Sequence, residues 1–302
     1  MLHTFNNIAK MWVFYTLTNV LTSSIADILY FKLVKKISIT LILAISNLFT
    51  LLWIMIYFYV ISESITIEIN LWTLFSIISN ISATYILFSQ MKSLPLGSIT
   101  LSYGARIVFT TFISIVSIGL PEKSLFISLG ASLLIIYSIY TNRPQENNTS
   151  KNKFNYTVFI PPFLYSLYAI FGKFAMVSIS PINFTFTLLI GITFGSILIY
   201  IKDVLTHKAF NKKEKGMLAP PNTKHLFTLT IFLLIAGLLG FLSFWSISLA
   251  IQNGNIAYVT AIQMSRGNFL SMFDLLHNQK KKFLSKVHIY LLNIMGILLI
   301  TL

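Results

Sequence analysis

The sequence contains no cysteine and few charged residues, and each shortage excludes a class of protein. Because none of the 302 residues is cysteine, disulfides, thiolate metal sites and a cysteine nucleophile are excluded. Charged residues make up 10% of the chain and hydrophobic residues 56%, whereas soluble domains carry about 25% charged residues. A soluble domain this apolar would aggregate in water. The composition therefore predicts an integral membrane protein whose main surroundings are the lipid bilayer.

Acidic residues are also scarce, since 8 Asp and Glu accompany 22 Lys and Arg and leave a net charge of +14. A chain this basic could bind nucleic acid. Its lysines, however, lie in short stretches between apolar segments, which is typical of loops that orient a membrane protein. We therefore expect no nucleic-acid partner.

Motifs of common catalytic sites are missing as well. The sequence has no glycine-rich loop for a phosphate, no nucleophile paired with a base, and histidines without metal-ligand spacing. These histidines are His3, His207, His225, His277 and His288. We expect no cofactor, no metal site and no enzymatic activity.

Ten apolar stretches approach the length of a membrane-spanning helix, which needs about 20 mostly apolar residues. The predicted spans are 12–31, 39–61, 69–90, 96–117, 124–140, 156–179, 181–201, 226–250, 255–276 and 284–302. Pro181 favours a turn between the sixth and seventh spans. Pro161 and Pro162 are expected to kink the sixth. The predicted fold class is an all-α integral membrane protein.

Two polar stretches divide the chain. Residues 142–155 have the composition of a linker, so residues 1–141 and 156–302 form two predicted halves of five helices each. Residues 202–225 form a second connection that we expect outside the lipid. Because each half has an odd number of helices, the second enters the membrane from the opposite side. This arrangement predicts two inverted five-helix repeats.

The halves share a charged position. At an offset of 160 residues, Arg106 aligns with Arg266 and Phe109 aligns with Phe269. Each arginine lies in the middle of the fourth span of its half, which supports the predicted repeat.

The two arginines are candidate substrate ligands. Each lies about 10 residues into its span, or about 15 Å deep at 1.5 Å per residue, near the bilayer centre. A charge there costs about 2.5–3.5 kcal/mol, so it usually faces a cavity. Tyr103 and Gln263 lie three residues earlier on the same helical faces. The guanidinium groups could bind an anionic part of a substrate; alternatively, each pairs internally with Asp274 or a backbone carbonyl, or serves helix packing.

Five further side chains have alternative interpretations. Asp27 and Asp274 are candidate proton-coupling carboxylates, although Asp274 could instead form an ion pair at the interface. Asp27 and Lys173 lie toward the ends of their spans, where a side chain can reach headgroups or water without a special role. Tyr168 and Trp245 could stack on a flat substrate or pack against other helices.

Small residues recur at helical spacing in two spans. Gly191 and Gly195 are four residues apart, and Gly237 and Gly240 are three apart. This spacing predicts close packing of these helices against neighbours in the membrane.

The positive residues predict an orientation. Sixteen lie in the loops after the odd-numbered spans and two, Lys10 and Lys123, on the other side. The sixteen are Lys32, Lys35, Lys36, Lys92, Arg143, Lys151, Lys153, Lys202, Lys208, Lys212, Lys213, Lys215, Lys224, Lys280, Lys281 and Lys282. Because positive loops stay in the cytoplasm, residues 202–225 are predicted to be cytoplasmic and both termini external.

Several features recur in a fixed order along the chain. The first apolar segment ends at Lys32, and Ala169–Lys173 is its counterpart in the second half. Pro95–Ser117 forms the fourth span, Gly119–Glu122 a short turn after it, and Ala250–Leu302 repeats this plan. This order resembles the drug/metabolite transporter superfamily, specifically its ten-helix EamA-type members.

The resemblance implies two five-helix repeats and transport of a small solute across a membrane. It also implies that both termini face the cytoplasm, which opposes the charge argument. The turn after the ninth span departs from the family pattern, because Asn278–Lys282 replaces the expected acidic turn with a basic one.

The leading functional hypothesis is a secondary transporter that moves a small metabolite, in one version with an anionic group, by alternating access. A lipid or lipid-linked sugar translocase is the alternative, because a similar bundle could pass a headgroup through a groove. A membrane enzyme or receptor would need polar clusters at a membrane surface, and the spans offer few. We expect a multi-pass protein of a bacterial inner membrane; the oligomeric state is not predicted.

Overall fold

The computed structural model describes residues 2–34, 37–62, 65–93, 96–119, 156–210, 223–270 and 287–301, together with Gly130, Leu133 and Tyr137. Throughout these residues the regular structure is helical, and they include no strand. The helices are α1 (Leu2–Leu33), α2 (Ile39–Ile61), α3 (Leu71–Ser93), α4 (Leu96–Ser117), α5 (Ile160–Ala175), α6 (Pro181–Phe210), α7 (Thr223–Asn253), α8 (Ile256–Met264) and α9 (Val287–Thr301). A single 3₁₀ turn, Tyr156–Phe159, leads into α5.

The helices follow most of the predicted spans. The second and fourth spans coincide with α2 and α4, and the sixth to tenth correspond to α5–α9. The fifth span, 124–140, falls outside the described residues except for three helical positions. The predicted loop 202–225 is wrong at both ends, because α6 continues to Phe210 and α7 begins at Thr223. Polar residues do not end a helix once it has left the lipid, since water satisfies their side chains.

Prolines lie in the first turn of two helices. Pro181 is the first residue of α6, and the backbone amide of Asn183 donates to Ser180 Oγ at 3.3 Å, so the predicted turn before Pro181 is confirmed. Pro161 and Pro162 occupy the first turn of α5 rather than kinking it. The kink prediction was wrong because an amide at this position has no intrahelical acceptor, so its loss in proline costs nothing.

The predicted span 255–276 is interrupted within the bilayer-length segment. After α8 the chain turns at Ser265 and is helical again at residues 266–270. The turn has 3₁₀ hydrogen bonds, from Ser265 N to Ile262 O at 3.0 Å and from Asn268 N to Ser265 O at 2.8 Å. Arg266 therefore follows directly on a tightened turn, which changes the direction in which its side chain leaves the backbone.

Five of the described helices are long and apolar enough to cross a membrane: Ile39–Ile61, Leu71–Lys92, Thr157–Ala175, Pro181–Thr206 and Leu229–Asn253. Their outer surfaces also suit lipid. On α1, Phe14 and Leu21 are 66% and 54% exposed, whereas Asn19 and Asp27 on the opposite face are 1% and 8% exposed. An apolar exterior around a polar interior is the reverse of a soluble helix, so the chain is an α-helical membrane protein.

Helices from the two halves of the chain interleave. The most extensive contacts join α1 to α7 and α3 to α5, so each of these pairs crosses the predicted boundary between the halves. α2 packs against both α6 and α7, and α4 packs against α5 and α8. The bundle therefore has its main interfaces between the halves.

The predicted close packing at the glycines of α6 and α7 is confirmed. A Cβ added at Gly237 would lie 2.5 Å from Phe49 Cβ and 2.9 Å from the Phe49 carbonyl carbon on α2. A Cβ added at Gly191 or Gly195 would overlap the side chain of Ile77 or Ile81 on α3. Gly237 thus lets the backbone of α7 approach that of α2, whereas Gly191 and Gly195 make room on α6 for isoleucine side chains of α3.

Candidate functional site

A polar cavity lies inside the bundle, between the two halves. It encloses about 970 Å³ of space that protein atoms do not fill, including its opening. Its walls come from all eight helices α1–α8 and from Arg266 just after α8. The lining residues are Asn19, Ser23, Ala26, Asp27, Tyr30, Leu43, Ser46, Asn47, Thr50, Asn80, Ile81, Thr84, Leu87, Phe88, Arg106, Tyr165, Tyr168, Ile192, Ser196, Gly240, Ser243, Phe244, Ile247, Gln263 and Arg266.

Amide and hydroxyl groups dominate the polar part of the wall and hold the helices together across it. Asn19 of α1 donates through Nδ2 to the carbonyl oxygen and to Oγ of Ser243 on α7, at 2.9 and 2.7 Å. Asn47 of α2 donates to Ser196 Oγ of α6 at 2.8 Å. Polar side chains at this depth persist when they find partners on other helices, so these bonds fix the shape of the cavity.

One of the two arginines faces a carboxylate. Arg266 Nε lies 3.7 Å from Asp27 Oδ2, and both side chains are about nine-tenths buried. This contact is an ion pair across α1 and the end of α8, longer than a hydrogen bond. Asp27 was expected to reach headgroups or water; instead it lies in the cavity wall. The internal partner expected for an arginine was Asp274, which lies outside the described residues.

The other arginine has an aromatic and a carbonyl neighbour. Arg106 of α4 donates through Nη2 to the backbone oxygen of Tyr165 on α5 at 3.3 Å, and its Cζ lies 5.3 Å from the centre of the Tyr165 ring. A guanidinium over an aromatic face gains electrostatic energy from the ring. The alternative predicted for the arginines, pairing with a backbone carbonyl, is therefore observed for Arg106. The same side chain also lines the cavity.

The structure brings some of the predicted site residues together and leaves others elsewhere. Arg106, Arg266, Gln263 and Tyr168 all line the cavity. Trp245 is absent from the described lining. Its ring packs instead on Phe241, with centroids 5.7 Å apart, and on Tyr57, 4.5 Å away. The Tyr103 side chain falls outside the described part of the chain.

Two buried acceptors belong to residues of the cavity wall. Asn19 Oδ1 and Gln263 Oε1 accept no hydrogen bond from any residue that the structure describes. Asn19 is 1% exposed and Gln263 is 6% exposed, and both residues belong to the cavity wall. A buried acceptor without a donor costs about 1–3 kcal/mol, so each oxygen would be stabilised by a donor brought within reach of it.

The sequence argument missed several wall residues. Asn19, Asn47 and Asn80 each interrupt an apolar span, as Arg106 does, yet an uncharged amide was not treated as a marker of the interior. The rule that polar groups in a span face a cavity applies to them as well. Tyr165 lies three residues before Tyr168, and this helical spacing could have found it.

Lys173 has a structural role away from the cavity. Its Nζ donates to the carbonyl oxygens of Ile251, Gln252 and Gly254, at 2.6, 2.9 and 3.2 Å. These carbonyls belong to the last turn of α7 and the residues after it, where no intrahelical donor remains. The side chain was expected to reach headgroups; instead it caps a neighbouring helix.

Carboxylates make hydrogen bonds to other helices or loops at both ends of α6. At its start Asn183 Nδ2 donates to Glu68 Oε1 of the α2–α3 loop at 3.0 Å. At the other end Thr40 Oγ1 donates to Asp203 Oδ2 at 2.8 Å. These bonds also show that the start of α2 and the end of α6 lie at the same end of the bundle.

The fold and the cavity define a class: an α-helical membrane protein with a polar, arginine-containing cavity between the two halves of its helix bundle. No family model matches the sequence, and no curated protein matches it. A solved structure described as "Crystal structure of protein" is similar, with a TM-score of 0.71 and 12% identity over 96% of this chain and 95% of that chain. At this identity the similarity shows that the fold is shared and nothing about activity.

Proposed function

We propose that the protein is a secondary transporter that carries a small solute with an anionic group across the membrane by alternating access. The observation that carries this proposal is a buried cavity, walled by both halves, that holds Arg106 and Arg266. Among its described lining residues the charged side chains are two arginines and Asp27, so their net charge is +1. An anion would balance this charge in a medium where isolated charge is costly.

The chemistry of the wall supports a polar anion over an apolar solute. Arginine presents a planar fork that suits a carboxylate or phosphate, and the amide oxygens of Asn19 and Gln263 would accept hydrogen bonds from other parts of the solute. A solute with an anionic group and neighbouring N–H or O–H donors would satisfy all of these groups at once. No sequence feature supplies a nucleotide site, so we propose that a solute or proton gradient supplies the energy.

The contacts between helices support two inverted repeats. If α1–α4 are exchanged for α5–α8, the α1–α7 interface becomes α5–α3, and α2–α7 becomes α6–α3. In the same exchange α4–α5 becomes α8–α1, while the α2–α6 and α4–α8 pairs each map onto the same pair. All of these interfaces are present in the structure. We propose that a pseudo-twofold axis passes through the α2–α6 and α4–α8 contacts, with the cavity on it.

Transport by purified protein in liposomes tests the proposal. Vesicles preloaded with a panel of unlabelled carboxylates and phosphate esters would exchange against the labelled compound outside. We expect counterflow for at least one anion. Arg106→Gln and Arg266→Gln should each reduce its rate at least about tenfold, and the lysine variants should also fall strongly, because lysine keeps the charge but loses the fork.

The matched control is Lys202→Gln, which removes one positive charge from an exposed position of α6 outside the cavity. Protein yield and thermal stability are measured for every variant. Wild-type rates in both glutamine variants would show that the arginines are structural. Movement of labelled lipid between leaflets without exchange of any soluble anion would favour the lipid or lipid-linked sugar translocase instead.

A further inference from the structure

The two arginines of the cavity differ in their charge environment. Arg266 faces the carboxylate of Asp27 at 3.7 Å, whereas Arg106 lies against the ring and the backbone oxygen of Tyr165. The described contact of Arg266 is with a full negative charge. An anion that entered the cavity would compete with Asp27 for this guanidinium.

Asp27 lies where a solute would bind. It is in the cavity wall with Gln263, whose Oε1 accepts no hydrogen bond from the described residues, and with Arg266. Asp27 Oδ2 lies 3.7 Å from Arg266 Nε, which is an ion-pair distance. An anionic group in the cavity would therefore meet the guanidinium and the carboxylate together.

We propose that Asp27 is an internal counter-ion, which occupies Arg266 in the empty protein and is displaced from it by the anionic group of the solute. This inference rests on the proposed function. The carboxylate lowers the cost of keeping Arg266 buried when no solute is present. It also opposes binding, because the solute must both displace Asp27 and approach its negative charge. Affinity is thereby lowered, and release of the solute is assisted by the return of Asp27.

Direct binding measurements test this competition. Purified full-length protein in detergent is titrated with acetate and with inorganic phosphate at constant ionic strength. Asp27→Asn should bind either probe about tenfold more tightly than the wild type, since the repelling charge is removed while Arg266 remains. Asp203→Asn is the matched control, because it makes the same chemical change at a carboxylate that bonds Thr40 outside the cavity, and it should leave the affinity unchanged.

A second comparison works even if Asp27→Asn does not accumulate. In Arg266→Gln the carboxylate of Asp27 keeps its charge without this partner, so it should repel anions from the cavity and destabilise the protein. The double variant Asp27→Asn with Arg266→Gln removes both charges. It should bind the probes more tightly than Arg266→Gln alone and unfold at a higher temperature.

The outcomes separate this inference from the proposed function. Unchanged or weaker binding on removal of the Asp27 carboxylate, with anion exchange intact in the wild type, would overturn the counter-ion role and leave the transporter proposal standing. Weaker binding would also indicate that Asp27 contacts the solute directly. If the wild type neither binds nor exchanges any anion, the proposed function fails and the inference fails with it.

Discussion

Arg106 and Arg266 line one cavity but have different immediate neighbours, and those neighbours decide what each side chain can do. The Tyr165 ring and backbone oxygen contact Arg106. The carboxylate of Asp27 faces Arg266. Two positions that align in the sequence therefore have different described neighbours in the structure.

Gln263 offers a prediction about stability at the level of one side chain. Its Oε1 is buried without a donor among the described residues. Because an apolar side chain of similar size removes that cost, Gln263→Leu should raise the free energy of unfolding by about 1 kcal/mol and weaken solute binding. Equilibrium unfolding of the purified variant in mixed micelles would measure the first effect, and ligand titration the second.

Gln90 is the matched control for this change. Its Nε2 donates to the carbonyl oxygen of Thr157 at 2.7 Å, which ties the end of α3 to the turn before α5. Gln90→Leu should therefore lower stability by about 1–3 kcal/mol, because the carbonyl loses its donor. If Gln263→Leu and Gln90→Leu were destabilised by similar amounts, Gln263 Oε1 could not be an unsatisfied acceptor in the protein without solute.

At the residue scale, the sequence predicted that Arg106 and Arg266 face the interior, and both line the cavity. A charge within an apolar span is costly enough to identify such residues without a structure. The ion pair with Asp27 could not be predicted, because the two residues are far apart in the chain and meet only when α1 packs beside α8. The position of Trp245 could not be predicted either, because an aromatic ring gains similar energy in a cavity wall and in a packed cluster.

Among the helices, α7 depends on a cap supplied by α5. Lys173→Met keeps the length of the side chain but removes the donors to three carbonyl oxygens at the end of α7. We expect a loss of about 1–3 kcal/mol in unfolding free energy, with anion affinity unchanged because Lys173 is not in the described cavity wall. Equilibrium unfolding and acetate titration measure the two quantities.

Lys202→Met provides the comparison, since Lys202 is exposed on α6. Its free energy of unfolding should lie within about 0.5 kcal/mol of the wild type. Lys173→Arg should recover part of the lost stability, because it keeps a charged donor within reach of the same carbonyls. If Lys173→Met proved as stable as Lys202→Met, the cap would contribute nothing to the fold.

The ends of helices were predicted well where lipid determines them and poorly elsewhere. α2 begins and ends as predicted because its apolar stretch stops abruptly at both sides. α6 continues beyond its apolar stretch to Phe210, since hydropathy detects where a segment leaves the lipid and not where helical hydrogen bonding stops. The turn closed by the bond from Asn268 N to Ser265 O contains Gly267, a residue that weakens a helix, and the sequence argument did not use it.

For the whole molecule, the contacts assign the loops to two ends. The bond between Thr40 and Asp203 places the start of α2 beside the end of α6, and that between Asn183 and Glu68 places the α2–α3 loop at the start of α6. Lys32 and Lys202, which flank the first of these contacts, therefore lie at one end of the bundle, as the predicted charge distribution requires. Which end faces the cytoplasm remains a prediction.

Labelling of single cysteines would determine the orientation, and the absence of native cysteine makes the background clean. Ile67→Cys lies in the exposed α2–α3 loop, and Lys213→Cys, which lies outside the described residues, is predicted to be on the opposite face. With positive loops inside, an impermeant maleimide should modify Ile67→Cys in intact cells and Lys213→Cys only after lysis. The reverse result would support the orientation that the family resemblance implies.

Because the two halves interleave, α1 is synthesised well before the helix that it packs against. α1 emerges from the ribosome first, but α7, its main packing partner, follows on the order of tens of seconds later at about 5–20 residues per second. During that interval Asn19 and Asp27 have no finished cavity to line. The partly synthesised chain must shield the polar face of α1 from lipid, either against α2 and α3 or within the insertion machinery. This shielding is needed until the helices of the second half pack against α1.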